Sequence, residues 1–473
     1  MLNITGTYTD QYQLTMGQAY FLCGQKDHSA IFDYSFRKLP FQGGYTLFAG
    51  LEDLLEVIEQ LTFSEKDIDY LHSQKFHPDY LEYLKNFSFT GTIRSCREGE
   101  VVFPVSPVLT VEAPVIEAQI VETMLLNILN FQTLIASKAS RIRLVAGKSQ
   151  LFDFGLRRAQ GTGGYFASRA AVIGGFDATS HVLAGRDFGI PVSGTMAHSF
   201  VQSYEDELTA FRDFAKVWPE NCVLLVDTYN TLESGVPNAI KVGKEMEARG
   251  QRLNGIRLDS GDLAYLAKQS RQMLDEAGLD YVKISASNQL DEIVIESLLD
   301  QGAPIDIFGV GTKLAVGYPD AALDGVYKLA GVNGEPRIKL SENLSKMTLP
   351  DKKQVYRLYD KQNGFLGADV VTLEAEKKED LAIMYHPVEV NKCMSIKDYE
   401  KEALLHPFIE KGKRCIPRMN INEIKEYGQQ RLAQLPQEYK RFNNPHVYKV
   451  GLSKALLEAR NRLRDKYQQK GNK

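Results

Sequence analysis

The sequence predicts an α/β protein whose central part is a (β/α) barrel, with an α+β domain before it and a C-terminal region after it. Between about Ser149 and Leu329, short apolar runs alternate with amphipathic helical stretches, the pattern of consecutive βα units around a parallel sheet. Each apolar run also ends in small, polar or charged residues, as expected where a barrel collects its active site. An open doubly wound sheet has the same periodicity and is the alternative.

Composition limits the classes of function. The 473 residues are 44% hydrophobic and 25% charged, which is typical of a globular enzyme with about three domain-sized units. The net charge of -4 excludes a globally basic surface, so no nucleic-acid partner is expected. The five cysteines form no CxxC pair, which argues against a zinc site or disulfide framework. Without a leader-like N-terminus or an apolar run of about 18 residues, the sequence predicts a cytoplasmic protein with no membrane partner.

Strand and helix signals divide the chain into three predicted parts. Residues 1–118 combine strand-like AIFDYSFRKLP and GTIRSCREGEVVFP with the acidic helix LEDLLEVIEQL, which predicts an N-terminal α+β domain. Residues 119–345 form the barrel domain, into which the apolar helix EAQIVETMLLNILNFQTLIASKASRI leads. Residues 346–473 resume strand-like segments and end in LSKALLEARNRLRDKYQQK, a charged helix expected to be solvated or to pack on the other domains.

Two helices of the barrel have clear signals. FVQSYEDELTAFRDFAKVWP and GDLAYLAKQSRQMLDEAG place apolar residues at three- and four-residue spacing, and Pro219 and Gly278 provide stops. The first of these is expected to begin near Phe200, after a strand at Ile190 to Val192 and a turn of small residues. That turn places His198 at the carboxyl end of the strand.

The seven predicted strands all end in side chains suited to binding or catalysis. In chain order these are Arg157, then Thr179 and Ser180, then His198, then Asp227, Thr228 and Asn230, then Arg257, Asp259, Ser260 and Asp262, then Ser285, Ser287 and Asn288, and finally Gly309, Gly311 and Thr312. Because the carboxyl ends of barrel strands meet at one rim, we expect these groups to share a site.

Two of these strand ends, GVGT and RLDSGD, suggest anion recognition. In GVGT, the glycines let the backbone approach a phosphate, and the Thr312 hydroxyl adds a donor, although a tight turn would need glycine as well. In RLDSGD, helix capping accounts for Asp262. It does not account for Arg257, whose guanidinium suits bidentate recognition of a phosphate or carboxylate.

His198 has three interpretations from the sequence alone. It is a polar surface residue, a general base, or a nucleophile toward phosphate. Both chemical interpretations need an orienting carboxylate, and Asp227 at the next strand end is the predicted partner. Near the N-terminus, Tyr12 and Tyr20 are either packing residues of the first helix or flat rings offered to an aromatic substrate.

Eight blocks of the sequence, in this order, closely resemble nicotinate phosphoribosyltransferases. They are TDQYQLTMGQAYF, FRKLPFQGGYTLFAGLED, FDFGLRRAQGTGGYFASRAA, GGFDATS, GTMAHSF, LLVDTYNT, GIRLDSGDL and FGVGT. The resemblance implies an irregular barrel in a homodimer with active sites at the subunit interface. It also implies the coupling of nicotinate to phosphoribosyl pyrophosphate, with ATP hydrolysed alongside and Mg²⁺ required.

The resemblance also implies a role for each matched residue. His198 is similar to the histidine that family members phosphorylate from ATP, and Asp227 to the carboxylate that orients it. The expected nicotinate contacts are Tyr12 from the neighbouring subunit, Phe154, Ser180, Thr195 and Arg257. The expected contacts to phosphoribosyl pyrophosphate are Arg157, Asp259, Gly309, Gly311 and Thr312, with Asp259 counted among the catalytic residues.

Ser180 favours nicotinate over nicotinamide. A related family that uses nicotinamide has an acidic side chain at this position to bind the amide, and such an acid would repel a carboxylate. A nicotinamide phosphoribosyltransferase is therefore the nearest alternative. A phosphosugar lyase or isomerase on a similar barrel is more remote, since none of the seven predicted strands clearly offers the lysine of a Schiff-base aldolase. An inactive phosphate-binding regulator is also more remote, since His198, Arg257 and the GVGT glycines are all present.

Overall fold

The computed structural model describes residues 4–340, 347–360, 364–389 and 391–471. The chain divides into two compact units: the barrel unit, Lys138–Ala321, and the flanking unit, formed by Met1–Ser137 with Ala322–Lys473. The predicted domain limits at residues 118 and 345 stay a prediction, and the two compact units do not follow them. Each unit is described by itself below.

The first part of the flanking unit mixes short helices with strands, as its sequence predicts. Its elements are α1 (Gln11–Leu22), β1 (Ser29–Phe36), β2 (Thr46–Leu47), α2 (Leu51–Glu59), α3 (Glu65–Ser73), α4 (Pro78–Lys85), β3 (Thr92–Ser95), β4 (Val101–Val102), β5 (Leu109–Pro114), α5 (Val115–Ile120) and α6 (Glu122–Ala146). Among the described residues, the stretch Val115–Ala146 alone is long and apolar enough to cross a membrane by length and composition. Its most apolar window is 72% buried within the protein, which is also how the core helix of a globular fold behaves.

The barrel unit alternates strands and helices. Its elements are β6 (Gln150–Asp153), α7 (Gly163–Ile173), β7 (Ala178–Thr179), α8 (Val182–Phe188), α9 (His198–Gln202), α10 (Glu207–Val217), β8 (Val223–Leu225), α11 (Val236–Glu247), β9 (Gly255–Leu258), α12 (Leu263–Glu276), β10 (Lys283–Ser287), α13 (Glu292–Asp300), β11 (Ile307–Val310) and α14 (Thr312–Ala315). The strands are parallel and lie in the order β7-β6-β11-β10-β9-β8. Their inward-packed apolar residues, such as those of β11, are fully buried.

The pairing of the first and last strands identifies this sheet as an irregular barrel. β11 pairs with β6 in parallel, with Ile307 opposite Gln150 and Val310 opposite Asp153. A doubly wound sheet instead leaves its first and last strands at separate positions, so the predicted barrel is confirmed. The ring of barrel strands is incomplete. Thr179 of β7 pairs with Val192 through a single parallel bridge, and within residues 138–321 no ladder of hydrogen bonds joins Val192 to β8.

One helix prediction was wrong. The segment predicted as one helix from about Phe200 forms two, α9 and α10, and the first begins at His198 itself. The reason is a second start signal within the segment. The side chain of Asp206 accepts a hydrogen bond from the Thr209 backbone N–H at 2.9 Å and caps α10, so the chain turns between the two helices.

The second part of the flanking unit is mainly strands. Its elements are β12 (Gly325–Val332), β13 (Glu335–Pro336), β14 (Lys353–Asp360), β15 (Gly364–Leu373), β16 (Ile383–Tyr385), β17 (Cys393–Ser395), β18 (Glu400–Ala403), β19 (His406–Glu410), β20 (Lys413–Arg414), α15 (Ile421–Gln434), β21 (Lys449–Leu452) and α16 (Lys454–Gly471). One sheet has the order β13-β12-β1-β5-β3-β19-β20, so the three N-terminal strands lie between two pairs of strands from later in the chain. A second sheet has the order β17-β16-β21-β15-β14-β18.

A buried charge network ties the two parts of the flanking unit together. Arg357 on β14 is fully buried and pairs with Asp369 on β15 at 3.0 Å and with Glu100 from the first part of the chain. Arg431 on α15 also pairs with Glu100, at 2.9 Å. Removing one member of such a network leaves a buried charge unpaired, which costs about 3–5 kcal/mol. The C-terminal region is therefore an integral part of this unit.

Candidate active site

A pocket of about 560 Å³ lies at the carboxyl ends of the barrel strands, and all of its lining residues belong to the barrel unit. We refer to it as the strand-end pocket. Of the residues to which the family resemblance assigns a role, all but Tyr12 and Asp227 line it, namely Phe154, Arg157, Ser180, Thr195, His198, Arg257, Asp259, Gly309, Gly311 and Thr312. Of the other predicted strand-end residues, Ser287 and Asn288 line it, whereas Thr179, Thr228, Asn230, Ser260, Asp262 and Ser285 do not. The strand order explains the convergence, because consecutive parallel strands deliver their ends to one rim.

The charge of the strand-end pocket is opposite to that of the whole chain. Its lining contains three guanidinium groups, on Arg157, Arg158 and Arg257, and one carboxylate, on Asp259. An anionic ligand is therefore favoured in this pocket even though the chain carries a net charge of -4. Phosphate and carboxylate groups both suit guanidinium donors.

His198 is the first residue of α9 and points one ring nitrogen toward each of two strand ends. Its Nδ1 lies 3.2 Å from the hydroxyl oxygen of Thr228, and its Nε2 lies 3.8 Å from a carboxylate oxygen of Asp259. The side chain is 39% exposed, so the ring is accessible from the pocket. Both contacts come from loops that follow β8 and β9.

The predicted pair between His198 and Asp227 does not form in this structure. One carboxylate oxygen of Asp227 accepts hydrogen bonds from the Asp259 backbone N–H at 2.8 Å and from the Ser260 hydroxyl at 2.7 Å. The other oxygen is buried without a hydrogen-bond partner. Asp227 thus fixes the backbone that carries Asp259, and its predicted role in orienting the histidine stays a prediction.

Arg257 connects the end of β9 to the segment before α9. It donates from Nη1 to the Thr195 hydroxyl at 2.7 Å and from Nη2 to the Met196 carbonyl at 3.1 Å, while its Nε is buried without a partner. Burial lowers the pKa of Arg257 from its usual value, and the nearby carboxylates of Asp259 and Asp227 oppose that shift. A partly desolvated cation of this kind favours an anionic ligand group.

The glycines of GVGT have a packing requirement that the sequence did not reveal. A side chain at Gly309 would place its Cβ 2.4 Å and 2.5 Å from two ring carbons of Phe154. At Gly311, the Cβ would lie 3.2 Å from the Phe154 carbonyl oxygen. Gly309 therefore allows the Phe154 ring to pack directly against the backbone of β11, whatever else the motif binds.

Sequence reasoning missed Gln289 as a pocket residue and did not indicate the backbone conformation of its predicted neighbour Asn288. Both line the pocket, with φ values of 52° for Gln289 and 83° for Asn288, a left-handed conformation that is unusual for residues other than glycine. Thr228 was noted only as a strand-end residue, and its contact with His198 depends on tertiary structure. Asp153, directly before Phe154, does not line the pocket and is 1% exposed, and its burial was not predicted from the sequence.

Tyr12 lies on α1 of the flanking unit, where its side chain is 49% exposed. Burial, followed by the charges of Glu122 and Asp10, raises its pKa, so the phenol is neutral at ordinary pH. An exposed flat ring is available to a ligand or a partner. The role predicted for it, stacking on a pyridine in the neighbouring subunit, stays a prediction.

Comparison with known proteins gives the same family over nearly the whole chain. Residues 7–130 match the nicotinate phosphoribosyltransferase (NAPRTase) N-terminal domain, 149–363 the NAPRTase family and 352–460 the NAPRTase C-terminal domain. The chain is 45% identical to nicotinate phosphoribosyltransferase of Bacillus subtilis over 94% of this chain and 92% of that protein. It is 37% identical to the Caenorhabditis elegans enzyme of the same name over 95% of this chain and 92% of that one.

A solved structure agrees with these sequence matches. Human nicotinic acid phosphoribosyltransferase superposes with a TM-score of 0.87 at 31% identity, covering 96% of this chain and 99% of that chain. The shared fold includes the irregular barrel that carries the strand-end pocket. On these matches, the chain belongs to the nicotinate phosphoribosyltransferase family.

Proposed function

We propose that this chain joins nicotinate to the phosphoribosyl group of phosphoribosyl pyrophosphate in the strand-end pocket, giving nicotinate mononucleotide and pyrophosphate for NAD biosynthesis. The observation that carries the proposal is the family match over nearly the whole chain together with a cationic pocket in an acidic protein. Both substrates are anions, so this pocket attracts each of them.

The nicotinate subsite is formed by Phe154, Ser180, Thr195 and Arg257. Arg257 supplies the counter-charge for the nicotinate carboxylate, and its hydrogen bonds to Thr195 and Met196 fix the direction of its guanidinium. Phe154 offers one ring face to the pyridine. Tyr12 of a second subunit covers the other face, which requires a homodimer. We place this homodimer in the cytoplasm, as the sequence predicts.

The phosphoribosyl subsite is formed by Arg157, Asp259, Gly309, Gly311 and Thr312. Cleavage of the bond between ribose C1 and pyrophosphate gives the sugar oxocarbenium character, so cations near the pyrophosphate stabilise the transition state. The pyridine nitrogen already has a free lone pair, and no general base is needed for its attack. What this chain provides is the alignment of that nitrogen with C1.

The proposed reaction requires Mg²⁺. The carboxylates at the pocket are too few to hold the ion alone, so they fit it only together with phosphate groups of a substrate. The described residues contain no group of three or more His, Cys, Asp or Glu side chains able to hold a metal. Mg²⁺ is commonly held by one or two carboxylates plus substrate phosphates. Asp259 lines the pocket, and Asp227 behind it has one buried oxygen without a partner, so these two carboxylates would hold it. When bound, the ion neutralises negative charge on the departing pyrophosphate.

His198 couples ATP to the transfer. In this proposal a ring nitrogen attacks the γ-phosphorus of ATP, the bond to ADP breaks, and water later releases phosphate from the phosphohistidine. The contacts to Thr228 and Asp259 hold the ring in one orientation while the side chain stays accessible. Asp227 supports this arrangement by fixing the Asp259 backbone.

The test is mononucleotide formation from phosphoribosyl pyrophosphate and Mg²⁺ with nicotinate or nicotinamide, with and without ATP. We expect product from nicotinate only, stimulated by ATP in the wild type and insensitive to ATP in His198→Ala. His72→Ala, which changes an exposed histidine of α3, is the matched control and should respond to ATP like the wild type. Preference for nicotinamide would overturn the interpretation of Ser180, and no turnover with either base would favour the phosphosugar alternative.

The shared active site has its own test. Tyr12→Ala and His198→Ala are mixed, so that hybrid dimers form by subunit exchange. If Tyr12 acts on the neighbouring subunit's pocket, a hybrid contains one intact site and recovers ATP-stimulated activity above that of either variant alone. Activity of the mixture equal to the average of the two variants would contradict the proposed sharing.

A further inference from the structure

Asp153 is a buried carboxylate without a lysine or arginine partner, and His181 is a charged group that acts on its pKa. It is the last residue of β6 and is 1% exposed, and among residues 138–321, all of which the structure describes, no lysine or arginine pairs with it. Burial raises the pKa of Asp153, while donors from Ser168, Gly155 and Thr179 oppose the shift. A carboxylate in such a place is costly to bury, so its hydrogen bonds need an explanation.

Those hydrogen bonds converge from three separate segments of the barrel unit. One carboxylate oxygen accepts from the Gly155 backbone N–H at 2.8 Å. The other accepts from the hydroxyl of Ser168 on α7 at 2.7 Å and from the hydroxyl of Thr179 on β7 at 2.8 Å. The Asp153 carbonyl also accepts from the Ser180 backbone N–H at 2.8 Å.

Asp153 therefore contacts both segments that carry the proposed nicotinate contacts Phe154 and Ser180. Phe154 lies between Asp153 and Gly155, so the carboxylate holds the backbone on both sides of the ring. Ser180 directly follows Thr179, whose hydroxyl is fixed by the same carboxylate. Two further contacts hold Phe154 in place. Its N–H donates to the Val310 carbonyl at 2.9 Å, and its ring packs where a side chain at Gly309 would otherwise lie.

We propose that Asp153 is a positioning residue for nicotinate: its carboxylate sets the spacing between the Phe154 ring and Ser180, and it does not touch the substrate. This inference rests on the proposed assignment of Phe154 and Ser180 to the nicotinate subsite. Except for Arg157, which follows β6, the residues of the phosphoribosyl subsite come from the ends of β9 and β11, to which the carboxylate makes no hydrogen bond. Loss of its function should thus raise the KM for nicotinate far more than the KM for phosphoribosyl pyrophosphate.

Two donors to the same carboxylate oxygen provide a matched pair of variants. Thr179→Val removes the hydroxyl next to Ser180, whereas Ser168→Ala removes a hydroxyl on α7, a helix without any residue that lines the strand-end pocket. A hydrogen bond to a charged group is strong enough that we expect about a tenfold rise in nicotinate KM for Thr179→Val. We expect a rise below about twofold for Ser168→Ala, with a similar loss of thermal stability in both. Thr179→Ser, which keeps the hydroxyl, should restore the wild-type KM.

Further variants separate the possible failures. Asp153→Asn keeps the volume but turns one acceptor into a donor, so it should raise nicotinate KM at least as much as Thr179→Val. If Phe154→Ala and Ser180→Ala leave nicotinate KM unchanged, the subsite assignment is wrong. If those two variants raise it while Thr179→Val and Ser168→Ala have equal effects on KM, the subsite stands and the positioning role of Asp153 is refuted. A parallel rise of both KM values in Thr179→Val would refute it as well.

Discussion

Gly309→Ala is the substitution whose effect the structure defines most directly. The added Cβ would lie 2.4 Å and 2.5 Å from two carbons of the Phe154 ring, whereas carbon atoms in contact are normally about 3.5–4.0 Å apart. The ring must therefore move by about 1 Å or more. The glycine is followed by buried Val310, so the backbone of β11 has little freedom to give way instead.

Overpacking of this size costs about 1–3 kcal/mol. If this whole free-energy cost weakens nicotinate binding, the KM for nicotinate rises by about 5- to 150-fold, since about 1.4 kcal/mol corresponds to a tenfold change in affinity. A phosphate cradle at GVGT gives a different result, because the substitution would then raise the KM for phosphoribosyl pyrophosphate. The two explanations of this glycine are thus distinguished by which substrate loses affinity.

The assay measures both KM values for wild type, Gly309→Ala, Phe154→Leu and the double variant. If the clash with the ring is the cause, the cost of Gly309→Ala falls in the Phe154→Leu background, because the smaller side chain can move aside. Equal costs in both backgrounds, or a change confined to phosphoribosyl pyrophosphate, would refute the reasoning. An unchanged melting temperature in Gly309→Ala would show that the ring adjusts without disturbing the barrel.

Three further predictions concern two residues that line the pocket and the buried carboxylate of Asp153. Ser180→Asp should lower kcat/KM for nicotinate by about 10- to 100-fold through repulsion of its carboxylate while raising that for nicotinamide, and a parallel loss for both bases would contradict the specificity argument. Arg257→Gln should raise the nicotinate KM by about 10- to 100-fold by removing a charged hydrogen-bond donor, with a smaller effect on nicotinamide; equal effects on both bases would mean that Arg257 is only structural. The third concerns stability. Because burial raises the pKa of Asp153, its folded pKa lies above its unfolded one, so the stability it contributes is complete below the unfolded pKa and is lost as pH rises through the folded value. The free energy of unfolding of the wild type minus that of Asp153→Asn should therefore decrease with rising pH in denaturant titrations, and an increase would contradict the assigned environment.

Prediction from the sequence succeeded where local signals and strand order suffice. The βα rhythm and the polar residues at strand ends predicted a shared rim, and the pocket brings together residues as far apart in the chain as Phe154 and Thr312. It failed where two local signals compete, as at Asp206, whose capping side chain ends one helix and starts the next. It also failed for the partner of His198, because adjacent strand ends offer several carboxylates and hydroxyls within reach.

By itself, the sequence determined the family, the alternation of strands and helices and most of the residues that line the strand-end pocket, since ordered motifs and hydrophobic periodicity are local properties of the chain. The pairing of β6 with β11, which distinguishes a barrel from a doubly wound sheet, is seen only in the tertiary structure. Only the tertiary structure decided which partners those residues have. Asp227 bonds to the Asp259 backbone and not to His198, Gly309 accommodates the ring of Phe154, and the C-terminal strands share a unit with the N-terminal ones through Arg357 and Glu100. Hydrogen bonds, ring contacts and buried ion pairs between distant segments depend on distances of a few tenths of an ångström, which no pattern along the chain contains.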